Sequence, residues 1–176
     1  FPYKSLIQKT GKFPFDTNNK KIILYQGAVN KGRGLELMIE TMQFINNTIF
    51  VIIGNGDLEL KLKEKVKNLN VSDRVKFINR ISPEKLKILT PLANLGISLE
   101  EDLGLNYKYA LPNKLFDYIH AKIPVLVSNL PEMEQIIQNY NVGEIVYNRE
   151  PKQLASQIEI LLKKEKSYFQ NKLEIA

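Results

Sequence analysis

The chain has 176 residues, enough for one domain with a sizeable core, and its formal net charge is +6 at pH 7. It contains no cysteine, which excludes disulfides, thiolate metal sites and cysteine nucleophiles. The Lys and Arg residues are scattered without an Arg-rich or aromatic-interleaved stripe, so we interpret them as a solvated surface and expect no nucleic-acid partner.

Strand and helix patterns alternate along the chain. Apolar runs predict buried strands at 21–26, 48–53, 74–78, 95–99, 125–128 and 144–147. Stripes at helical spacing and Pro residues at helix starts predict helices at 35–42 and 58–69 and four more that begin at Pro83, Pro112, Pro131 and Pro151. Because the runs are apolar on both faces, they indicate a doubly wound α/β domain with a roughly six-stranded parallel sheet.

The two ends of the chain lack this alternation. We expect residues 1–19 to be a linker, residues 20–163 to be the folded domain and residues 164–176 to be a tail. Neither end looks like a natural terminus, so we expect a truncated piece of a longer protein.

The first candidate ligand loop, GAVNKGRG at 27–34, follows the first strand. Gly27 and Gly34 leave the backbone free to approach a ligand, and Arg33 can grip phosphate oxygens. A P-loop would need Lys and then Ser or Thr where Arg33 and Gly34 stand, which argues against NTP hydrolysis. A plain strand-to-helix turn is the alternative interpretation of this loop.

A second glycine pair, Gly54 and Gly56, follows the second strand. A close approach of the backbone to a ligand and a tight turn are equally compatible with it. Asp57 is expected to cap the helix that follows.

The segment at 109–127, YALPNKLFDYIHAKIPVLV, is the strongest indication of a binding site. Pro112 suits a first helical turn, and the amides of Asn113, Lys114 and Leu115 are then expected to be free at the positive end of the helix dipole. Lys114 adds a cation there. Asp117, about one turn further on, can accept hydrogen bonds from a sugar diol. Phosphate and diol side by side indicate a nucleotide.

Together, these segments resemble the nucleotide-sugar-binding half of retaining glycosyltransferases with the two-domain GT-B fold, and glycosyltransferase family 4, the group 1 transferases, above all. The resemblance covers roughly residues 21–162. It rests on YQGAVNKGRGLELMIE, FVIIGNGDLELKLK, VKFINRISPEKL, LPNKLFDYIHAKIPVLVS and PEMEQII, in the family's order and spacing.

The resemblance implies a Rossmann-like domain whose substrate is a UDP- or GDP-sugar and which requires no cofactor and no metal. It implies transfer of the sugar, with retention, to a glycan, lipid-linked or other acceptor bound by a missing N-terminal domain. The isolated domain is then expected to bind nucleotide and to be inactive. A cytoplasmic location follows, with peripheral association of the full-length protein at the inner face of the membrane as an option, and polysaccharide biosynthesis as the setting.

The resemblance also assigns roles to individual residues. Arg33 and Lys114 are the expected catalytic groups, which stabilise the leaving diphosphate. The expected donor-binding residues are Gly27, Gly34, Gly54, Gly56, Arg80, Ile81, Asn113, Lys114, Leu115 and Asp117, with Arg80 and Ile81 at the base and Asp117 at the ribose. The chain departs from the family at Tyr109, where the first Glu of the Glu-x7-Glu motif is expected, and at Ala28, where a basic residue is common.

Other readings remain open at this point. A nucleotide-sugar epimerase on the same fold would favour several catalytic acids and histidines, whereas His120 is the only histidine. A non-catalytic α/β interaction domain is the second alternative. Glu100, Glu101 and Asp102 are adjacent, and we interpret them as a solvated face or a contact to donor hydroxyls rather than as a metal site.

Overall fold

The computed structural model of the chain describes residues 11–164 and 166–176. Its six strands form one parallel sheet: β1 (Lys21–Gln26), β2 (Thr48–Ile53), β3 (Val75–Ile78), β4 (Leu95–Ser98), β5 (Val125–Ser128) and β6 (Gly143–Val146). The bounds match the predicted strands to within one residue at each end. The predicted doubly wound α/β fold is therefore confirmed.

Eight α-helices lie within the described residues: α1 (Leu35–Thr41), α2 (Glu59–Asn68), α3 (Pro83–Leu89), α4 (Leu105–Lys108), α5 (Asn113–His120), α6 (Pro131–Tyr140), α7 (Pro151–Lys163) and α8 (Lys166–Ile175). Short 3-10 turns at Met42–Phe44 and Thr90–Leu92 extend α1 and α3. The four-residue α4 was not predicted, because it is too short to show a helical stripe.

The strand order is β3-β2-β1-β4-β5-β6, so the direction of winding reverses between β1 and β4. In open parallel sheets, ligands bind beyond the carboxyl ends of the strands at such a reversal. The loop at 27–34 follows β1, and the segment at 99–112 follows β4 and leads into α5, which carries the candidate residues of the 109–127 segment. The topology thus brings the two strongest sequence candidates to one crevice.

Burial explains why the strand sequences are apolar throughout. Every residue of β2, β4 and β5 is buried, as is all of β1 after Lys21. Helices cover both faces, as a parallel sheet requires. The core is continuous from β1 to α7.

Two helix starts differ from the sequence expectation. Pro112 lies at the N-cap position, one residue before α5, with extended backbone (φ −67°, ψ 135°). Asp57 does not cap α2, because Leu58 occupies the N-cap position and the backbone N–H of Asp57 donates to Asn30 Oδ1 at 3.1 Å. Asp57 is held by the neighbouring loop instead.

Residues 1–10 of the predicted linker lie outside the described residues, and residues 11–19 contact the domain. The Phe13 side chain is buried in the core, and its ring stacks on Phe15 with centroids 5.5 Å apart. In the tail, α8 buries Phe169 and Leu173. Within the part of the chain that the structure describes, no helix is long and apolar enough to cross a membrane.

Candidate nucleotide-sugar site

The crevice between β1 and β4 is shaped by close backbone packing. Gly34 precedes α1 with φ +73°, and a Cβ there would lie 2.2 Å from the carbonyl oxygen of Leu99. The backbone N–H of Glu101 donates to the carbonyl of Gly32 at 2.9 Å. The glycines of the 27–34 loop therefore let this loop pack against the segment that follows β4.

The Gly54 and Gly56 pair has a similar cause. A Cβ on Gly54 would lie 1.8 Å from the carbonyl oxygen of Gly27, and one on Gly56 would lie 2.3 Å from that of Val29. Both glycines are explained by the approach of the β2 loop to the β1 loop. This packing of loop against loop is a third explanation for the glycines, beside the close approach to a ligand and the tight turn that the sequence left open.

A buried carboxylate, Glu100, occupies the crevice directly after β4. It is 2% exposed, and its Oε2 accepts a hydrogen bond from Ser98 Oγ at 2.6 Å. Its Oε1 is paired with Lys114 Nζ and lies 4.0 Å from Nη1 of Arg33. We call Glu100, Arg33 and Lys114 the Glu100 cluster. The interpretation of residue 100 as part of a solvated face is wrong, because Glu100 is buried and its charge is compensated by two cations.

Lys114 is more enclosed than a cation at an open helix tip. It is 8% exposed, and its Nζ lies 5.2 Å from the ring centroid of Tyr25. Burial lowers the pKa of Lys114, and the Glu100 carboxylate opposes that shift. Burial, reinforced by Glu100, raises the pKa of Tyr25. The cluster is thus a low-dielectric site in which each charge strongly affects the others.

Arg33 supplies the second cation. About a third of its side chain is exposed, and its Nε is buried without a hydrogen-bond partner among the described residues. A guanidinium with an unused N–H donor has capacity left for an anionic ligand. With one carboxylate between Arg33 and Lys114, the cluster carries a net positive charge.

Arg149, which the sequence analysis missed, braces the cluster from the loop after β6. Its Nη2 donates to the carbonyl of Leu99, and its Nη1 donates to Ser128 Oγ, both at 2.9 Å. Ser128 Oγ in turn donates to the carbonyl of Glu100 at 2.7 Å. Burial lowers the pKa of Arg149 against the pull of Glu101 and Glu100. A lone Arg far along the chain gives no sequence signal for this role.

The amino end of α5 offers fewer free amides than expected. The N–H of Leu115 already donates to the carbonyl of Pro112 at 3.1 Å, so the expectation that it is free is wrong. Tightening of the first turn causes this bond. The amides of Asn113 and Lys114 remain as the donors at this helix end.

Asp117 lies on the neighbouring side of the crevice. Its carboxylate is exposed, and Oδ2 accepts a hydrogen bond from Gln26 Nε2 at 3.1 Å. It borders a cavity of about 520 Å³ together with Leu86, Thr90 and His120. Helix α5 therefore directs Lys114 toward the end of β4 and Asp117 toward the end of β1.

A second cavity, of about 660 Å³, lies over the ends of β1 and β2 and below the start of α3. Its walls include Gly27, Gly54, Asn55, Arg80 and Ile81. Both cavities are bordered by Pro83 and Leu86, and we call the two cavities together the edge groove.

Seven of the predicted site residues therefore fall into two groups. Arg33 and Lys114 meet at Glu100, whereas Asp117, Gly27, Gly54, Arg80 and Ile81 border the edge groove. The N–H of Arg80 is already engaged by Asn55 Oδ1 at 2.8 Å.

Tyr109 stands apart from both groups. It is 55% exposed and follows α4. Among the described residues, no group of three or more His, Asp or Glu side chains could hold a metal ion.

Comparison with known proteins identifies the class. The family described as glycosyl transferases group 1 matches residues 8–173. This chain belongs to that family, and its sheet and helices are those of the Rossmann-like GT-B domain.

Individual relatives give a more particular placement. An uncharacterized glycosyltransferase of Methanocaldococcus jannaschii is 28% identical over 143 residues, which are 78% of this chain and 35% of that protein. The chitobiosyldiphosphodolichol beta-mannosyltransferase of Debaryomyces hansenii is 29% identical over 136 residues, which are 71% of this chain and 28% of that protein. The chain therefore spans about a third of the length of these relatives.

A solved structure shows the same fold. The crystal structure of Anabaena Alr3699/HepE in complex with UDP has a TM-score of 0.76 over 98% of this chain and 47% of that protein, at 14% sequence identity.

Proposed function

We propose that this chain is the donor-binding domain of a retaining glycosyltransferase and binds a nucleoside diphosphate sugar along the edge groove and at the Glu100 cluster. One observation carries the proposal: two cations converge on a single buried carboxylate at the β1–β4 crevice, next to a groove bordered by Asp117. The groove offers space for a nucleotide, and the cations suit its negative charge.

Each part of the ligand has a counterpart in the site. The base fits the cavity bordered by Arg80 and Ile81, and the ribose hydroxyls lie at Asp117. The diphosphate lies at Arg33 and at the amides of Asn113 and Lys114, where the helix dipole adds positive potential. The name of the solved relative supports this assignment, because that protein was crystallised with UDP.

The chemistry follows from charge. When the sugar leaves its nucleotide, negative charge grows on the diphosphate, and preorganised cations stabilise it without rearranging. Arg33 and Lys114 are the catalytic groups in this sense, and they make a metal unnecessary. Retention means that the product keeps the anomeric configuration of the donor.

The acceptor, a sugar or a lipid-linked sugar, requires a second domain in the whole protein. The mannosyltransferase relative, of which this chain covers 28%, supports the view that such proteins are longer than this chain. The chain alone is then expected to bind nucleotide and to transfer little or no sugar.

Isothermal titration calorimetry with UDP and with GDP tests the proposal. We expect the 176-residue chain to bind one of them weakly and the Arg33→Ala plus Asp117→Ala double variant to lose that binding. The matched control is Lys61→Ala plus Glu36→Ala, which removes one cation and one carboxylate from an exposed ion pair. Undiminished nucleotide binding by the Arg33→Ala plus Asp117→Ala variant would contradict the assignment of the site. Equal losses in both double variants would point to general destabilisation.

A further inference from the structure

Gln26 is a buried polar residue at the floor of the edge groove. It is the last residue of β1 and 4% exposed. Its Nε2 donates to Asp117 Oδ2 at 3.1 Å, and its Oε1 accepts from Thr90 Oγ1 at 2.8 Å. One side chain thus joins β1, α5 and the 3-10 turn after α3.

The direction of these bonds follows from donor and acceptor chemistry. An ionised Asp117 only accepts, so the NH₂ end of the Gln26 amide must face it and the oxygen must face Thr90. The hydroxyl of Thr90 has one hydrogen and lies 2.8 Å from both Gln26 Oε1 and the carbonyl of Leu86. That hydrogen can go to either acceptor, and when it goes to Gln26 Oε1 it satisfies the amide oxygen that Asp117 turns toward Thr90. The chain of bonds then runs from Thr90 through Gln26 to the carboxylate.

The backbone of Gln26 is fixed to the same helix. Its N–H donates to Tyr118 Oη at 3.2 Å, and Tyr118 Oη lies 3.1 Å from the carbonyl of Ile97. The Tyr118 side chain is fully buried, and a Cβ on Gly96 would lie 2.4 Å from its ring. Residues 117 and 118 of α5 therefore both bond to Gln26. Tyr118 fixes the helix, and the amide fixes the carboxylate.

We propose that Gln26 is a positioning residue that presents the Asp117 carboxylate to the ribose hydroxyls, with Thr90 Oγ1 as the second hydrogen-bond partner of its amide. The inference rests on the proposed function. An exposed carboxylate samples several rotamers, and the Gln26 bond selects one of them. It uses one lone pair of Oδ2 and leaves the other acceptor sites for a diol. Selectivity for a ribonucleotide over an analogue that lacks both hydroxyls then depends on Gln26 as well as on Asp117.

The test compares UDP and GDP with their 2′,3′-dideoxy analogues by calorimetry on the 176-residue chain. Gln26→Leu is expected to weaken binding of the ribonucleotide about tenfold, because a hydrogen bond to a charged group is lost, and to leave binding of the dideoxy analogue unchanged. Thr90→Val keeps the Gln26 amide and is expected to give a smaller loss of the same selective kind. Gln157→Leu is the matched control, since the side-chain amide of Gln157, on α7 and away from the groove, donates a hydrogen bond to the carbonyl of Ile145 on β6.

Each outcome decides a different point. If Asp117→Asn abolishes the preference for the ribonucleotide while Gln26→Leu and Thr90→Val retain it, the inference is overturned and the proposed function stands. An equal loss for both nucleotides in Gln26→Leu would assign Gln26 a purely structural role and overturn the inference as well. If the unmodified chain binds neither UDP nor GDP, the proposed function fails and the inference falls with it. Circular dichroism checks folding, and Thr90→Val alone decides if Gln26→Leu does not fold.

Discussion

The ammonium of Lys114 is paired with the carboxylate of Glu100, and both side chains are almost completely buried at the carboxyl edge of the sheet. Such a pair need not add much to stability, because both charges lose hydration, but removing one partner leaves the other uncompensated.

The first prediction follows from this pairing. Glu100→Ala should lower the free energy of unfolding by about 3–5 kcal/mol, since it strands the Lys114 ammonium in a low-dielectric site. Urea denaturation measures the loss. The double variant Glu100→Gln plus Lys114→Met should recover most of it. A Glu100→Ala variant as stable as the unmodified chain would show that the pair is not a buried charge pair in solution.

The second prediction concerns alkaline pH. Tyr25 and Tyr118 have raised pKa values, chiefly through burial, so above pH 10 the unfolded chain loses their protons before the folded chain does. Their contribution to stability is complete below pH 10 and falls as the pH rises, by about 1.4 kcal/mol per pH unit for each proton. The pKa of Lys114 is lowered in the folded chain, so this residue has the opposite effect: its contribution to stability rises with pH until the pH reaches the unfolded pKa of 10.5.

Urea denaturation as a function of pH measures this slope. Tyr118→Phe should be less stable at pH 8, because its hydrogen bonds are lost, but should show a shallower decline above pH 10. The exposed Tyr140 serves as the control through Tyr140→Phe. An identical decline in the Tyr118→Phe and unmodified chains would contradict the assignment.

The third prediction concerns Gly34. Gly34→Ala should destabilise the chain more than Gly104→Ala does. Both positions have positive φ, a strain of about 1–3 kcal/mol for a side chain, but only at Gly34 would the Cβ meet backbone. Around Gly104 nothing lies within 4 Å of the added atom. Thermal melting of the two variants gives the comparison, and equal melting temperatures would rule out the close packing of the 27–34 loop against Leu99.

The fourth prediction concerns Arg149, which holds the backbone of Leu99 and, through Ser128, that of Glu100. Arg149→Lys cannot make both bonds and should weaken nucleotide binding several-fold, since the Glu100 cluster loses its brace. Arg74→Lys is the matched control, because Arg74 bonds two carbonyls, those of Met42 and Ile45, away from the site. Calorimetry with the better-bound nucleotide measures both. Equal weakening in the two variants would count against a specific role for Arg149.

Much of the fold could be predicted from the sequence because its signals are local. Apolar runs at strand length gave all six strands, and Pro131 and Pro151 marked the first residues of α6 and α7. The sequence missed α4, which is one turn long, and the packed helix in the tail, whose apolar residues are too few to form a clear stripe.

The site divides in the same way. The sequence by itself determined that Arg33, Lys114 and Asp117 lie in loops and helix turns that follow parallel strands, because the alternation of strand and helix fixes which ends meet. Only the tertiary structure decided that Glu100 is buried between two cations, that Arg149 braces it, and that Gln26 faces Asp117. Lys114 and Glu100 are 14 positions apart along the chain, Arg149 and Leu99 are 50 apart, and Gln26 and Asp117 are 91 apart. Desolvation and hydrogen bonding affect such residues only after folding has brought the strands together. A local sequence pattern therefore cannot predict these contacts.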